Sequence, residues 1–145
     1  MRTSTAPRIE GLHHIQFPVS DLDASTAWFE RVLGARYQPQ FDHFDEQQRR
    51  FAVMLEVPGL EFPLQLRLAE DLAQAIVGYE PVTFGAVDRD HLDVWAGHLD
   101  LCGVEHSGIK TARIGETIDF NSPDGARLRL YTLPVDGYEN ASFTQ

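Results

Sequence analysis

Eight side chains that could bind or act on a small molecule fall on one face of the strands that the sequence predicts. They are His14, Gln16, Gln65, Arg67, Thr83, Arg127, Arg129 and Tyr131. His14 could act as a base or as a hydrogen-bond donor, because imidazole changes charge near neutral pH. Three arginines on one face favour an anionic or carbonyl-rich ligand, since guanidinium binds carboxylate or phosphate through paired hydrogen bonds. We expect His14 and Arg129 to be the catalytic candidates and the other six to contact a ligand.

The three arginines also have a structural alternative. Each could pair with a carboxylate on a neighbouring strand, and the candidate partners are Glu56, Glu61, Glu70 and Asp119. Several aromatic residues have two interpretations as well, because they could line a loop over a ligand cleft or belong to the core. These residues are Phe41, Phe44, Phe51 and Phe62. Both choices stay open from the sequence alone.

The other reactive residues are expected to be structural. Strand alternation places His13 on a face that packs against a helix, and helical spacing places His91 and His98 on the outside of a helix. Cys102 has no activating base near it in the sequence, so we expect it to pack rather than react. The chain contains no Gly-rich phosphate loop, no Cys-x-x-Cys pair and no serine elbow.

Composition narrows the class of protein. The chain has 145 residues, of which 43% are hydrophobic, which suits one globular domain. Its net charge of −10 opposes binding to nucleic acid, because no basic stripe can neutralise phosphates. No apolar run reaches the roughly 20 residues of a membrane-spanning helix, and the first ten residues lack a signal-peptide core. With one cysteine and no possible intrachain disulfide, we expect a cytoplasmic protein that binds a small organic molecule, not nucleic acid or a membrane.

The elements that must position the eight residues form a repeat. Four residue types recur at a constant offset of 67 positions: Phe17, Asp21, Asp23 and Trp28 return as Phe84, Asp88, Asp90 and Trp95. Self-similarity at a fixed spacing predicts two copies of one structural unit.

Each copy begins with a strand and a helix. Residues 13–19 alternate between apolar and polar side chains, as a half-buried strand does. Ser20, with Asp23 three positions later, is the expected helix cap. Apolar residues then recur at helical spacing until Gly34, which suits a left-handed helix exit.

The second copy has the same order. Residues 82–86 alternate, Asp88 or Asp90 caps the next helix, and Gly103 ends it. Three shorter strands are expected after the helix in each copy, at residues 35–38, 51–56 and 64–68, then at 104–110, 115–121 and 127–132. A further helix over residues 71–77 is expected to link the copies.

Three stretches resemble the vicinal-oxygen-chelate superfamily of glyoxalases, bleomycin-resistance proteins and dioxygenases. They are Leu12-His13-His14-Ile15 with Val19-Ser20-Asp21-Leu22 and Val32-Leu33-Gly34, then residues 84–90 with Gly103-Val104, then Ser122-Pro123-Asp124-Gly125 with Leu128-Arg129-Leu130-Tyr131. The resemblance implies an α+β fold of two βαβββ modules whose curled mixed sheets surround a cleft. It implies one domain over residues 10–134, with modules at about 10–70 and 80–134, a linker at about 71–79 and a tail at 135–145.

The resemblance also implies a homodimer and, in many members, one divalent metal ion. Its ligands, typically His and Glu, come from the first and fourth strands of each module, which here correspond to His14, Gln65, Pro81 and Arg129. His14 is a good ligand type, and Gln65 offers a neutral carbonyl oxygen. Pro81 has no donor atom, and the cationic Arg129 would repel a metal. We therefore expect no metal; if one is present, His14 and Gln65 would hold it.

Two functions suit such a site. The first is a small-molecule-binding protein with a degenerate or absent metal site, whose cleft takes an anionic or carbonyl-rich organic ligand. The alternative is an enzyme of the same superfamily. It would be a lyase, isomerase or ring-cleaving dioxygenase with atypical metal ligands, or a metal-free catalyst using His14 with Arg129 as electrophile. A third possibility is an accessory subunit whose cleft is vestigial.

Overall fold

The computed structural model describes residues 5–135, so the predicted tail lies almost entirely outside the described residues. Within this range there are nine strands: β1 (Ile15–Val19), β2 (Arg36–Tyr37), β3 (His43–Phe44), β4 (Arg50–Glu56), β5 (Leu64–Leu68), β6 (Thr83–Ala86), β7 (Lys110–Ala112), β8 (Gly115–Asn121) and β9 (Arg127–Thr132). The helices are α1 (Leu22–Leu33), α2 (Glu70–Ala75) and α3 (Arg89–Leu101), with a short 3-10 turn at Pro39–Phe41. No helix in this part of the chain is long and apolar enough to cross a membrane.

The strands form two sheets with the same topology. The first sheet has the order β1-β5-β4-β2, with β3 also paired to β4, and the second sheet has the order β6-β9-β8-β7. β1 pairs with β5 in parallel, and β6 pairs with β9 in parallel. All the other strand pairs are antiparallel. Each half is therefore a strand, a helix and further strands, so the α+β class and the repeated modules are confirmed.

Aspartates, not Ser20, cap the two long helices. Asp21 and Asp88 each accept a hydrogen bond of 2.9 Å at Oδ1 from the backbone N–H three residues later. Each cap satisfies an amide that has no partner within the helix. The prediction for Ser20 was wrong, because Asp21 takes the cap position, and the hydroxyl and backbone N–H of Ser20 donate instead to Asp124, at 2.5 and 3.1 Å. Ser20 thereby ties the first module to the closing turn of the second.

Helix α1 packs its apolar stripe against the first sheet. Leu22, Thr26, Phe29 and Leu33 are buried, as their spacing predicts. The helix ends at Gly34, whose φ of 68° lies in the left-handed region where a side chain is costly. This turn sends the chain back to begin β2.

One hydrophobic core lies between the two sheets and contains both long helices. Phe17 and Leu66 of the first sheet and Leu128 of the second are at most 1% exposed and belong to one cluster. Trp28 of α1 reaches the second sheet, where its ring lies 6.3 Å from that of Phe120. Since successive side chains of a strand point to opposite faces, the polar face of each sheet points away from this core.

Residues 104–110 do not form the predicted strand. His106 makes one isolated bridge to β8, and β7 begins only at residue 110. Gly108, at a φ of 72°, turns the chain between them. The hydroxyl oxygen of Ser107 accepts the backbone N–H of Asp119 at 3.0 Å, which takes the place of a strand partner. Local side-chain hydrogen bonds here compete successfully with the regular ladder.

The acidic segment 42–46 contains the short strand β3, which is exposed and pairs with β4. Asp45 Oδ1 accepts the backbone N–H groups of Gln47 and Arg49 at 2.8 and 2.9 Å. These hydrogen bonds stabilise the turn between β3 and β4, as Asp side chains commonly do.

Candidate functional site

The eight polar residues singled out in the sequence divide between the two sheets. His14, Gln16, Gln65 and Arg67 lie on or beside the first sheet, and Thr83, Arg127, Arg129 and Tyr131 lie on the second. Gln16 is paired in register with Gln65, and Thr83 with Arg129. No hydrogen bond or ion pair between residues 5 and 135 joins the two groups. One chain therefore presents two separate polar faces.

On the first sheet, Gln16 and Gln65 satisfy each other. The side-chain amide of Gln16 donates to the carbonyl oxygen of Gln65, whose residue is only 5% exposed. Buried polar groups need such partners. The oxygen of Gln65 that could have served as a metal ligand is thus already engaged.

His14 lies one residue before β1 and is exposed. Its Nδ1 is 3.0 Å from Nδ1 of His13, and the two rings meet edge to face with their centroids 5.2 Å apart. One ring must donate and the other accept, so the contact requires a neutral acceptor ring. The catalytic role expected for His14 stays a prediction. The expectation for His13 was wrong, because it lines a pocket on the outward face.

Arg129 of the second sheet is held by carboxylates. Its Nε and Nη2 donate to Asp119 Oδ1 and Oδ2 at 2.6 and 3.1 Å, and Nε is 3.3 Å from Glu80 Oε1. Lys110 Nζ donates to Asp119 Oδ2 at 2.7 Å. The hydroxyl of Thr83 donates to Glu80. The Asp119 alternative considered for Arg129 is therefore the arrangement in the structure.

These contacts shift the pKa values of both Asp119 and Arg129. Burial alone would raise the pKa of Asp119, but hydrogen bonds from Arg129 and Lys110 outweigh it and hold that pKa below its ordinary value. The hydrogen bond to Asp119 raises the pKa of Arg129. Asp119 is thus a carboxylate shared by two cations, and Nε and Nη2 of Arg129 are engaged with it.

The other two arginines are not paired with carboxylates in the described part of the chain. The guanidinium of Arg67 lies 4.9 Å from the centroid of the Phe51 ring, a cation–π contact. Arg127 is exposed at the start of β9. Tyr131 accepts the backbone N–H of Ile114 at its hydroxyl oxygen, at 3.0 Å. Arg67 and Arg127 remain candidate ligand contacts, whereas the Tyr131 hydroxyl fastens a turn.

The four positions where the resemblance implies a metal do not form a suitable donor set. Pro81 has no donor atom, Arg129 is a fixed cation, and the oxygen of Gln65 accepts from Gln16. His14 is the one good ligand left, whereas a catalytic metal usually takes about three protein ligands. Between residues 5 and 135, no three His, Cys, Asp or Glu side chains lie close enough together to hold a metal. We assign these residues no role through a metal.

A pocket of about 480 Å³ lies on the outward face of the first sheet, and we call it the first-sheet pocket. Its lining comes from the chain before β1, the segment after β2, the strand β4 and the loop from β4 to β5. The lining residues are His13, Gln38, Phe41, Met54, Glu56, Leu60, Glu61, Phe62 and Pro63. Most of this surface is apolar, and Met54 on β4 is 9% exposed. This combination is typical of a small-molecule site.

The charged residues of the first-sheet pocket are carboxylates. Glu56 Oε1 accepts from Arg36 at 2.7 Å, so its charge is compensated. Glu61 is exposed and forms no ion pair with any residue from 5 to 135. The sequence analysis named Glu61 as a possible partner for an arginine. Of the lining residues, Phe41 and Phe62 are the two that the sequence proposed for a cleft. The others come from segments that are separate in the sequence and that only the fold brings together.

Cys102 and His98 do not form a catalytic pair. His98 Nε2 lies 2.9 Å from the carbonyl oxygen of Val32 and 3.6 Å from the sulfur of Cys102. A carbonyl only accepts, so Nε2 carries a hydrogen and cannot take the thiol proton. His98 joins α3 to α1, which corrects its expected place on the outside of the helix.

Residues 11–130 match the family model of the Glyoxalase/Bleomycin resistance protein/Dioxygenase superfamily. The match covers most of the chain, so the chain belongs to this superfamily. The resemblance seen in the sequence, and the fold that it implies, are confirmed.

Solved structures with this fold include antibiotic-binding and fosfomycin-resistance proteins. TnmS3, an antibiotic-binding protein from Streptomyces sp. CB03234, matches with a TM-score of 0.67 and 18% identity over 88% of this chain and 98% of its own. UcmS2 matches with a TM-score of 0.68 and 17% identity over 86% and 98%. FosX from Listeria monocytogenes, solved with Mn(II) and a sulfate ion, matches with a TM-score of 0.63 and 16% identity over 89% and 94%. At these identities the likeness shows the fold alone.

Proposed function

We propose that this protein binds a small organic molecule in the first-sheet pocket and that binding requires no metal ion. The observation that carries the proposal is the pocket itself, an apolar concavity of about 480 Å³ on the face of the sheet opposite the core. Ligand sites in proteins commonly enclose roughly 300–1,000 Å³ and combine apolar walls with a few polar groups. TnmS3, of the same fold, is an antibiotic-binding protein, which supports a binding role for this frame.

The walls of the pocket suit a ring-bearing ligand. Phe41 and Phe62 come from opposite sides, the first from the 3-10 turn and the second from the loop before β5. Met54 lies between them on β4 and has a flexible thioether that adapts to varied shapes. Phe41 is 57% exposed, so a bound ring would cover apolar surface that is now open to water.

The chemistry of Arg129 also favours binding over metal-free catalysis. An arginine that acts as an electrophile must present its N–H groups to the substrate. Here Nε and Nη2 are directed to Asp119 and Glu80. The anionic or carbonyl-rich ligand favoured by the sequence stays a prediction that rests on Arg67, Arg127 and Arg129. None of the three arginines lines the first-sheet pocket.

We further propose that two copies associate as a homodimer. Within residues 5–135, β1 pairs with β5 alone and β6 with β9 alone, so both are edge strands. Edge strands present unpaired backbone groups that another strand can satisfy. A twofold dimer would set the first-sheet face of one copy beside the second-sheet face of its partner. Light scattering coupled to size-exclusion chromatography tests this, and a monomeric mass at micromolar concentration would contradict it.

The binding proposal is tested by filling the pocket. Gln38 lines the pocket, whereas Gln40, two residues away, does not and is exposed. Aromatic small molecules would be screened by thermal shift against the native protein and the variants Gln38→Trp and Gln40→Trp. We expect hits that lose at least about tenfold in affinity in Gln38→Trp and keep it in Gln40→Trp. Hits that bind both variants equally would show that the ligand site lies elsewhere.

A further inference from the structure

We propose that the first-sheet pocket selects an organic cation, namely an apolar ring-bearing molecule with a protonated amine. This inference rests on the proposed function, because it requires that the pocket hold a small molecule. A cationic ligand differs from the anionic or carbonyl-rich ligand that the sequence favours. The difference arises because the charged residues that line this pocket are carboxylates.

Carboxylates are the fixed charges in the lining of the first-sheet pocket. Of its nine lining residues two are glutamates, and none is lysine or arginine. Arg36 compensates Glu56 through the 2.7 Å contact. Glu61 has no such partner among residues 5–135 and lies between the apolar Leu60 and Phe62. The pocket therefore carries one uncompensated negative charge beside an apolar wall.

The surroundings reinforce this charge. The whole chain has a net charge of −10, so cations are attracted from a distance and anions are repelled. Phe41 and Phe62 supply aromatic surface, and aromatic faces attract cations more strongly than neutral groups. An amine beside Glu61 would thus meet attraction from both the carboxylate and the rings.

Two of the arginines that could favour an anion are engaged outside this pocket. Arg67 lies over the ring of Phe51, and Arg129 is paired with Asp119. His13 also lines the pocket, and its Nδ1 contacts that of His14.

Three probes with one ring system and different charges test the inference. They are naphthylmethylamine (cationic), naphthylmethanol (neutral) and naphthylacetate (anionic), and their affinities would be measured at about pH 8 by ligand-observed NMR. The proteins are the native chain, Glu61→Gln, and Glu30→Gln as a control. Glu30 is an exposed carboxylate on α1 that does not line the pocket. Both variants remove one negative charge, so they separate the local from the overall effect.

We expect the amine to bind about two- to fivefold tighter than the alcohol, as an exposed ion pair provides, and the acetate to bind weakest. Glu61→Gln should abolish the preference for the amine and leave the affinity for the alcohol unchanged. Glu30→Gln should retain the preference. Because the attraction is electrostatic, the preference should also shrink as salt rises.

Two failures are distinguishable with the pocket-filling variant Gln38→Trp. In the first, Gln38→Trp abolishes binding, but the three probes bind native protein equally or the acetate binds tightest. The pocket is then a ligand site, and its selection for cations is overturned. The same holds if Glu30→Gln and Glu61→Gln have equal effects. If no probe binds, or Gln38→Trp leaves binding intact, the proposed function itself is overturned and this inference falls with it.

Discussion

The ion pair between Arg129 and Asp119 allows a quantitative test of whether Arg129 is structural. The side chain of Asp119 is 9% exposed, that of Arg129 is 27% exposed and that of Lys110 is 48% exposed. Asp119→Asn removes the charge while keeping the shape of the side chain. It weakens charge-assisted hydrogen bonds to both cations at once.

The expected loss of stability in Asp119→Asn follows from the partial burial of the ion pair. Breaking a fully buried pair costs about 3–5 kcal/mol, whereas an exposed pair contributes about 0–1 kcal/mol. Asp119 is nearly buried, but its two partners reach solvent and Glu80 still contacts Arg129. We therefore expect Asp119→Asn to lower the free energy of unfolding by about 2 kcal/mol, which corresponds to a fall in Tm of about 4–8 °C for a chain of this size.

A double-mutant cycle with Arg129→Gln isolates the pair, measured by urea denaturation. We expect a coupling energy of about 1–2 kcal/mol. The matched control is the pair Arg36–Glu56, which has a similar contact distance of 2.7 Å but side chains that are 73% and 58% exposed. Its cycle should give a coupling energy close to zero, because both side chains are exposed. Equal coupling energies in the two cycles would refute the reasoning and return Arg129 to the catalytic candidates.

Four further predictions follow from single residues. The pKa of Asp119 is lowered in the folded state, so its stabilisation is complete above the ordinary aspartate range near pH 4 and is lost as pH falls through the lower folded value. Urea midpoints of native protein should therefore drop more steeply below about pH 4 than those of Asp119→Asn. Gly34→Ala should lower the free energy of unfolding by about 1 kcal/mol, because the φ of Gly34 is 68°. Gly97→Ala should raise it by about 0.5–1 kcal/mol, because Gly97 lies in open space on α3. Calorimetric Tm shifts of the same sign in the two variants would contradict this. Asp21→Ala should lose about 1 kcal/mol through its helix cap, and an unchanged urea midpoint would count against that assignment. His14→Ala should change the free energy of unfolding by less than about 0.5 kcal/mol, since the ring is exposed, and a larger loss would reveal a structural role.

The repeated architecture was readable from the sequence because its determinants are local. The short strands expected at residues 64–68, 115–121 and 127–132 are β5, β8 and β9, with the bounds that the structure has. Gly34 ended α1 as expected, because a left-handed exit is a property of the residue itself. The segment 104–110 was misjudged, because its Ser107 and Gly108 contacts depend on the neighbouring strand β8.

The site was less predictable because it depends on contacts between residues distant in the chain. Strand alternation placed Arg129 on the outward face but could not decide whether Asp119, ten positions earlier, would neutralise it. Nothing local in the sequence shows that Met54 of β4 lines one pocket with Glu61 and Phe62 of the following loop. The pocket is thus a property of the folded sheet, not of any one segment.

The most direct test of metal-free binding in the first-sheet pocket uses the two methionines of the chain, Met1 and Met54. Met54 lines the pocket, so isotope-labelled methionine methyl groups give one reporter inside it. Naphthylmethylamine would be titrated into native protein with and without EDTA, and into Gln38→Trp. We predict a saturable shift of the Met54 methyl signal that EDTA leaves unchanged and Gln38→Trp abolishes. A Met54 signal that does not move, or a shift that EDTA removes, would contradict the account.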